Sequence, residues 1–330
     1  MTIVFLSNEK KFSADGSLTL LQAAQDAKLV LEHSCRTGRC GSCKARVLEG
    51  EVNPCGEDTS LSSEERAQGW ILTCVSSARG DVVRLDVEDV GILADFPVKI
   101  TPTRIDFIER LAPDVMGVKL RLPPSNGLRY LAGQYVDVLG KGGVRRSYSI
   151  SNHADVAGKI DLEIRKVEGG VLSQYWFAEA KVGDLLRIEG PKGTFFLRDV
   201  TGLDLVFLAT GTGIAPVKAM LAELSTRPAG DKPKSVTVYW GGRNAADLYW
   251  TPFSTVEFRF VPVLSRGDEN WQGARGYVQD VLLVQRPDLK NTVVYACGSP
   301  EMIGSASATL RVRGLPERRF FSDAFVSSAI

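Results

Sequence analysis

The sequence predicts a multidomain chain of three unlike parts: a small α+β domain, an antiparallel β-barrel, and a doubly wound α/β sheet. Three observations predict it. Residues 33–50, HSCRTGRCGSCKARVLEG, place three cysteines in a short loop that also holds glycines. Strand-length runs separated by turn residues fill the stretch from 97 to 199, the pattern of a closed antiparallel barrel. From about residue 200, strands alternate with helical runs, as in a parallel sheet covered on both faces. A chain of 330 residues has room for two or three domains.

Composition narrows the function classes. The chain is 44% hydrophobic and 24% charged, as ordinary globular proteins are. Its net charge of +1 gives no general reason to expect nucleic acid or an anionic membrane as partner. The opening MTIVFLSNEKKF has too short an apolar run for a signal peptide, and LDLVFLATGTGIAPV is broken by Asp204 and glycines, so a cytoplasmic protein is expected. In a reducing compartment six cysteines do not suggest a disulfide framework, and clustered ones point to metal or redox chemistry.

Cys35, Cys40 and Cys43 follow C-x4-C-x2-C, with Cys74 as a remote fourth. This is the plant-type spacing for a [2Fe–2S] cluster. Two bridged irons need four thiolates converging on one small rhomb, so the loop must curl with its N–H groups inward. Ser34, Thr37, Gly38, Gly41 and Ser42 are small or permissive enough for that. A structural zinc would want two short cysteine hairpins, and Cys74 has no close partner; unligated buried cysteines would not need the glycines. A Rieske centre lacks its histidines, since the chain has two, His33 and His153, far apart. Cys55 has no spacing partner and reads as a small buried residue.

Around the loop, LTLLQAAQDAKL has helical periodicity with Leu20, Ala23, Ala24 and Ala27 on one face. ILTCVSSARGDVVRLDVE reads as a strand, a turn at Arg79–Gly80, and a second strand. Residues 1–90 therefore resemble a plant-type ferredoxin domain of β-grasp fold. Arg36, Arg39, Lys44 and Arg46 lie on or beside the ligand loop and are candidates for docking an acidic partner.

The second domain, 98–199, follows a proline-marked linker at Phe96–Pro97. Its runs are PVKITPTRIDFIERL, VMGVKLRLPP, LRYLAGQYVDVLG, RRSYSIS, KIDLEIRKV and DLLRIEGPKGTFFL. On a strand through RRSYSIS, Arg146 and Tyr148 share one face and Ser149 begins the other. This Arg-x-Tyr-Ser core, with the Gly-Gly-x-x-Ser element of RKVEGGVLSQYW downstream, resembles the ferredoxin–NADP reductase superfamily. The resemblance implies an FAD-binding barrel. Arg146 would grip the flavin pyrophosphate, Tyr148 lie on the isoalloxazine ring, and the Ser149 hydroxyl point at the reactive flavin nitrogen. Gly169, Gly170, Val171, Leu172 and Ser173 would offer backbone N–H groups to the pyrophosphate, with Arg165 helping at the flavin tail.

The third domain, 200–330, reads as LDLVFLAT, APVKAMLAELST, SVTVYWGG, FRFVPVLS, VQDVLLVQ and NTVVYACG. Its first turn, GTGIAP, departs from the general dinucleotide fingerprint because Pro216 stands where a third glycine belongs. It is similar to the reductase superfamily's own version, in which Gly211, Thr212 and Gly213 face the nicotinamide nucleotide. YACGSP resembles the element beside the nicotinamide ring, carried here by Cys297 and Gly298. The second strand ends without an immediate acidic residue for the ribose. Arg243 would meet the 2′-phosphate of NADPH, whereas relatives with GxRxxxDLYW use NADH and place an aspartate, here Asp247, at the ribose; NADH is favoured. In RRFFSDAFVSSAI, Phe325 would shield the flavin face that the nicotinamide must occupy, and Asp323 would support proton balance.

The resemblance covers nearly the whole chain and implies an oxidoreductase that passes electrons from NAD(P)H to FAD, to the [2Fe–2S] cluster, and to a partner enzyme. The flavin couples a two-electron donor to a one-electron carrier, and the protein positions and tunes both. Two groups share this domain order: the CDP-6-deoxy-Δ3,4-glucoseen reductases of deoxysugar biosynthesis, which serve a pyridoxamine-phosphate-dependent dehydrase, and the reductase components of aromatic-ring oxygenases. HSCRTGRCGSCKARVLEGEV, RIEGPKGTFF, GTGIAPVK and FFSDAFV look nearer the sugar-pathway group. A remote third reading is a non-catalytic ferredoxin-like binding module.

Overall fold

The computed structural model describes residues 1–124, 127–154, 158–252 and 257–325. It divides into two compact units, Met1–Pro97 and the chain from Val98 onward.

In the first unit, strands β1 (Thr2–Phe5), β2 (Lys11–Ala14), β3 (Lys44–Pro54), β4 (Trp70–Leu72) and β5 (Ser76–Asp86) form one sheet in the order β2-β1-β5-β3-β4. The β1–β5 pair is parallel and the rest antiparallel. Alternation in β1 and β2 turns Val4, Phe12 and Ala14 inward. Helix α1 (Leu20–Asp26) lies against that face and buries Leu20, Leu21, Ala23 and Ala24. Its start is a reciprocal cap, with Gln22 N–H donating to Thr19 Oγ1 at 3.1 Å and Thr19 N–H to Gln22 Oε1 at 3.0 Å. A second short helix, α2 (Ser63–Ala67), precedes β4. This is the β-grasp.

Three local expectations are corrected here. Ala27 is the exposed C-cap of α1 rather than part of its inner face, because the helix ends a residue earlier. Arg79–Gly80 is not a turn: β5 runs on through Gly80 at φ +81°, and only its register against β3 shifts nearby. Cys55 is exposed, just past the end of β3.

The second unit begins with a barrel of β6 (Lys99–Ala112), β7 (Val115–Arg121), β8 (Tyr135–Leu139), β9 (Arg145–Ser149), β10 (Lys159–Arg165) and β11 (Leu185–Lys192), in the order β10-β7-β6-β11-β8-β9. The circle closes where Ile150 bridges Leu162 and Ser151 N–H donates to Asp161 O at 2.8 Å. Val118, Leu120, Val136, Val138, Ile160, Leu162, Ile164 and Ile188 fill it, with Trp176 from the segment after the short helix α3 (Val171–Gln174). The run LRYLAGQYVDVLG is strand only from Tyr135, because Gly133 at φ +104° and the Leu131–Gln134 turn interrupt it.

A parallel sheet follows: β12 (Asp204–Thr210), β13 (Ser235–Gly242), β14 (Arg259–Leu264), β15 (Ala274–Arg275), β16 (Thr292–Gly298) and β17 (Phe320–Ala324), in the order β15-β14-β13-β12-β16-β17. Helices α4 (Ile214–Thr226), α5 (Val278–Gln285) and α6 (Pro300–Val312) accompany it. From β12 the chain builds outward on one side through β13 and β14, then returns to add β16 and β17 on the other. The reversal opens a crevice between the carboxyl ends of β12 and β16, where such sheets receive ligands. Among the described residues no helix is long and apolar enough to cross a membrane.

Candidate functional site

In the first unit the four predicted cysteines come together as two couples. Cys43 Sγ donates to Cys74 Sγ at 3.2 Å, and the Cys40 thiol donates a hydrogen bond to the Cys35 sulfur. Cys40, Cys43 and Cys74 are buried and Cys35 half-buried. Two couples suit two irons.

Backbone donors face the sulfurs, with Cys35 N–H 3.5 Å from Cys40 Sγ and Thr37 N–H 3.4 Å from Cys35 Sγ. The loop needs glycine at Gly38 (φ +75°), where a Cβ would stand 2.0 Å from Glu57 O. Within each couple one thiol is the better anion. The bond from Cys40 lowers Cys35 to about 4, and the bond from Cys43 lowers Cys74; the same contacts, followed by burial, push Cys40 and Cys43 up. Metal ligation requires all four as thiolates, so binding a cluster must displace the protons that Cys40 and Cys43 hold.

Of the basic residues nearby, Lys44 is paired with Glu65 at 2.5 Å and Arg46 donates to Gln68 O at 3.0 Å. Arg36 contacts the buried His33 Nε2 at 2.9 Å. Burial, then the Arg36 charge, lowers His33 to about 4, so the imidazole stays neutral. Arg36 and Arg39 remain exposed on the ligand loop.

On the barrel, strand β9 separates the predicted flavin residues as alternation requires. Arg146 donates to Arg145 O at 2.7 Å and has no carboxylate partner among the described residues. An unneutralised guanidinium is what a pyrophosphate needs. The Tyr148 hydroxyl accepts from Trp176 Nε1 at 3.2 Å, and the rings meet edge to face. Burial pushes this phenol up to about 12, so it stays protonated. Ser149 is buried, and its hydroxyl makes no hydrogen bond among the described residues. Gly169, at φ +71°, turns the chain into α3; the Ser173 hydroxyl oxygen accepts from Val167 N–H at 2.9 Å. The Gly170 N–H is already spent on Val167 O at 3.1 Å, which leaves the first-turn donors of Val171, Leu172 and Ser173.

At the crevice two glycine turns interlock. A Cβ on Gly213 would lie 2.2 Å from Cys297 O, and one on Gly298 would lie 2.2 Å from Thr210 Oγ1. Ser299 N–H donates to Thr210 Oγ1 at 3.1 Å, and Trp240 Nε1 holds Gly211 O at 2.9 Å. Cys297 is fully buried, and burial, then the charge of Asp323, keeps it a thiol. Asp323 stands opposite it in register on β17. Phe325 N–H donates to Gly298 O at 2.8 Å, which places this aromatic, the last described residue, beside Cys297 and Gly298. Thr212 is buried within the turn.

Arg165 spans from the barrel to the nucleotide half. Its guanidinium pairs with Asp114 at 2.9 Å, approaches Asp247 at 3.9 Å, and sits where a Cβ on Gly211 would come within 2.6 Å. Asp247 accepts the Arg243 and Asn244 N–H groups at 2.7 and 3.3 Å and lies 3.6 Å from Arg243 Nε. Sequence reasoning missed Trp176 and Trp240, whose indole N–H bonds support the two motifs. Their sequence neighbourhood reads as core, and only the tertiary partner reveals the task.

Comparison with known proteins agrees with this layout. Residues 4–79 match the 2Fe-2S iron-sulfur cluster binding domain, 102–197 the oxidoreductase FAD-binding domain, and 207–308 the oxidoreductase NAD-binding domain. The protein is thus an NAD(P)H oxidoreductase with FAD and a [2Fe–2S] cluster. The chain is 44% identical over 96% of its length, and 96% of the relative's, to the CDP-6-deoxy-L-threo-D-glycero-4-hexulose-3-dehydrase reductase of Yersinia pestis. It is 32% identical to the phenol 2-monooxygenase reductase component DmpP of Pseudomonas sp. strain CF600, covering 94% of this chain and 90% of that one. Among solved structures, the Amycolatopsis cytochrome P450 reductase GcoB superposes with a TM-score of 0.70 at 28% identity, covering 99% of both chains. The chain belongs to the family of iron–sulfur flavoprotein reductases that join a plant-type [2Fe–2S] domain to FAD- and NAD-binding domains, the family that includes the CDP-6-deoxy-L-threo-D-glycero-4-hexulose-3-dehydrase reductases.

Proposed function

We propose that this reductase draws on NADH and delivers single electrons to a pyridoxamine-phosphate-dependent dehydrase acting on a CDP-linked deoxyhexulose. The observation that carries this is the 44% identity across 96% of both chains with the Yersinia dehydrase reductase, against 32% for the phenol monooxygenase component. Bound together, the nicotinamide, flavin and cluster supply a two-electron donor, a converter and a one-electron carrier. Cys35, Cys40, Cys43 and Cys74 would hold the cluster, and exposed Arg36 and Arg39 on its loop suit an acidic docking surface. Reconstitution tests the reading: with purified dehydrase and its CDP-sugar substrate, NADH should be consumed in step with 3-deoxygenation. Absence of turnover there, with turnover alongside an aromatic-ring oxygenase, would favour the second reading. That one is supported by the likeness to DmpP.

Arg146, Tyr148, Ser149 and the α3 turn at Gly169, Gly170, Val171 and Ser173 are proposed to hold FAD. Arg146→Ala should cost about 1.5–3 kcal/mol of binding, roughly 10- to 150-fold in Kd, read by flavin release on ultrafiltration. A variant that keeps its full flavin removes Arg146 from that role.

Gly211, Thr212, Gly213, Cys297 and Gly298 are proposed to receive the nucleotide, with Phe325 covering the flavin. Asp247 draws on Arg243 and presents a carboxylate beside it, which disfavours a 2′-phosphate. We expect kcat/KM for NADH to exceed that for NADPH by roughly 10-fold or more, the size of one charge-assisted phosphate contact. Equal efficiencies with ferricyanide as acceptor would contradict this.

A further inference from the structure

One cluster in the second unit buries a charge and includes none of the residues proposed for either cofactor site. The Glu163 side chain, on β10 of the barrel, is only 2% exposed. Lys218, in the second turn of α4, donates to Glu163 Oε1, and the Tyr249 hydroxyl donates to Oε2 at 2.7 Å. Both carboxylate oxygens are therefore held from the nucleotide half, across the seam between barrel and parallel sheet. Burial, then the Glu163 charge, pushes the Tyr249 phenol far up, so it remains a donor. Two residues along the same face of β10, Arg165 reaches the Gly211 turn and Asp247. Neither Glu163, Lys218 nor Tyr249 was legible as functional from the sequence.

A buried ion pair is a poor device for stability alone, because apolar replacements of equal volume are often neutral or better. Its distinguishing property is direction: a carboxylate with both oxygens engaged accepts one arrangement of its donors. Helix α4 starts directly after the Gly211–Gly213 turn, so any slide of α4 against the barrel carries that turn with it.

We propose that Glu163, Lys218 and Tyr249 form a latch that sets how closely the nucleotide crevice approaches flavin strand β9, governing the reacting distance rather than affinity for either cofactor. They are positioning residues. The inference rests on the nicotinamide lying at the carboxyl ends of β12 and β16.

The test uses the flavin- and cluster-loaded chain with ferricyanide as acceptor and NADH deuterated at the transferred position. For Glu163→Gln, Lys218→Met and the near-isosteric Tyr249→Phe, kcat per bound flavin should fall about 10- to 100-fold while KM for NADH moves less than about threefold. The deuterium isotope effect on kcat should rise in the same variants, and Lys218→Arg should keep the wild-type value. A merely structural role would lower stability or flavin content and leave the isotope effect per bound flavin unchanged. Wild-type kcat and isotope effect in flavin-loaded Tyr249→Phe and Glu163→Gln would overturn the latch. Failure of the underlying reading shows separately, as a wild-type chain whose flavin NADH does not reduce, and it would take the latch with it.

Discussion

Replacing Gly213 by alanine is expected to abolish reduction of the flavin by NADH while leaving FAD in place. The added methyl would stand 2.2 Å from Cys297 O, 2.6 Å from Cys297 C and 3.0 Å from Gly298 Cα, all backbone atoms at the end of a central strand. No side-chain rotation relieves such a contact, so the turn and the end of β16 must part. Overpacking of this kind costs about 1–3 kcal/mol in stability, which a domain of this size tolerates. Catalysis tolerates it less, because a displacement of about 1 Å in the reacting groups can cost on the order of 100-fold in rate. Anaerobic stopped-flow bleaching of the flavin measures the rate, and the absorbance of the purified variant measures its flavin. Wild-type bleaching by Gly213→Ala would remove the turn from the nucleotide site. Loss of flavin as well would mean that the damage reaches the barrel.

The second large effect is expected at the other end of the chain. Cys43→Ser removes one member of the Cys43–Cys74 couple, whose sulfurs lie 3.2 Å apart. Changes merely in the groups that orient metal ligands already cost about 10- to 100-fold in metal affinity, so loss of a ligand itself should exceed that and empty the cluster site. Ferricyanide, which accepts electrons from the flavin directly, should still be reduced at close to the wild-type rate. Reduction of cytochrome c should disappear, along with the low-temperature EPR signal of a reduced binuclear centre. Equal loss of both activities would contradict a path in which the cluster follows the flavin.

The parts of this fold legible in the sequence are those whose chemistry is local. The cysteine spacing, the alternation that parts Arg146 and Tyr148 from Ser149, and the apolar run Leu205–Ala209 inside β12 all act over a few residues. What escaped depends on partners far along the chain. Gly80 reads as a turn until one sees that β5 is gripped on both sides, by β1 and β3, and must continue. Arg165 reads as a helper at the flavin tail, and its ion-pair partners Asp114 and Asp247, distant in sequence, show only in the fold. Cys55 reads as buried because free cysteines usually are, yet the end of β3 carries it outside. Strand β15, two residues long, offers no period to detect, and β17 shows its place only once β16 is beside it.

The mutual fit of the two glycine turns constrains how this nucleotide site can be altered by descent or by design. The space beside Gly213 belongs to the carbonyl of Cys297, and that beside Gly298 to Thr210. Neither loop is a separate module, so transplanting one from a relative of different coenzyme preference, without its counterpart, would bring in a shape its neighbour cannot meet. Successful grafts should carry both loops in one step.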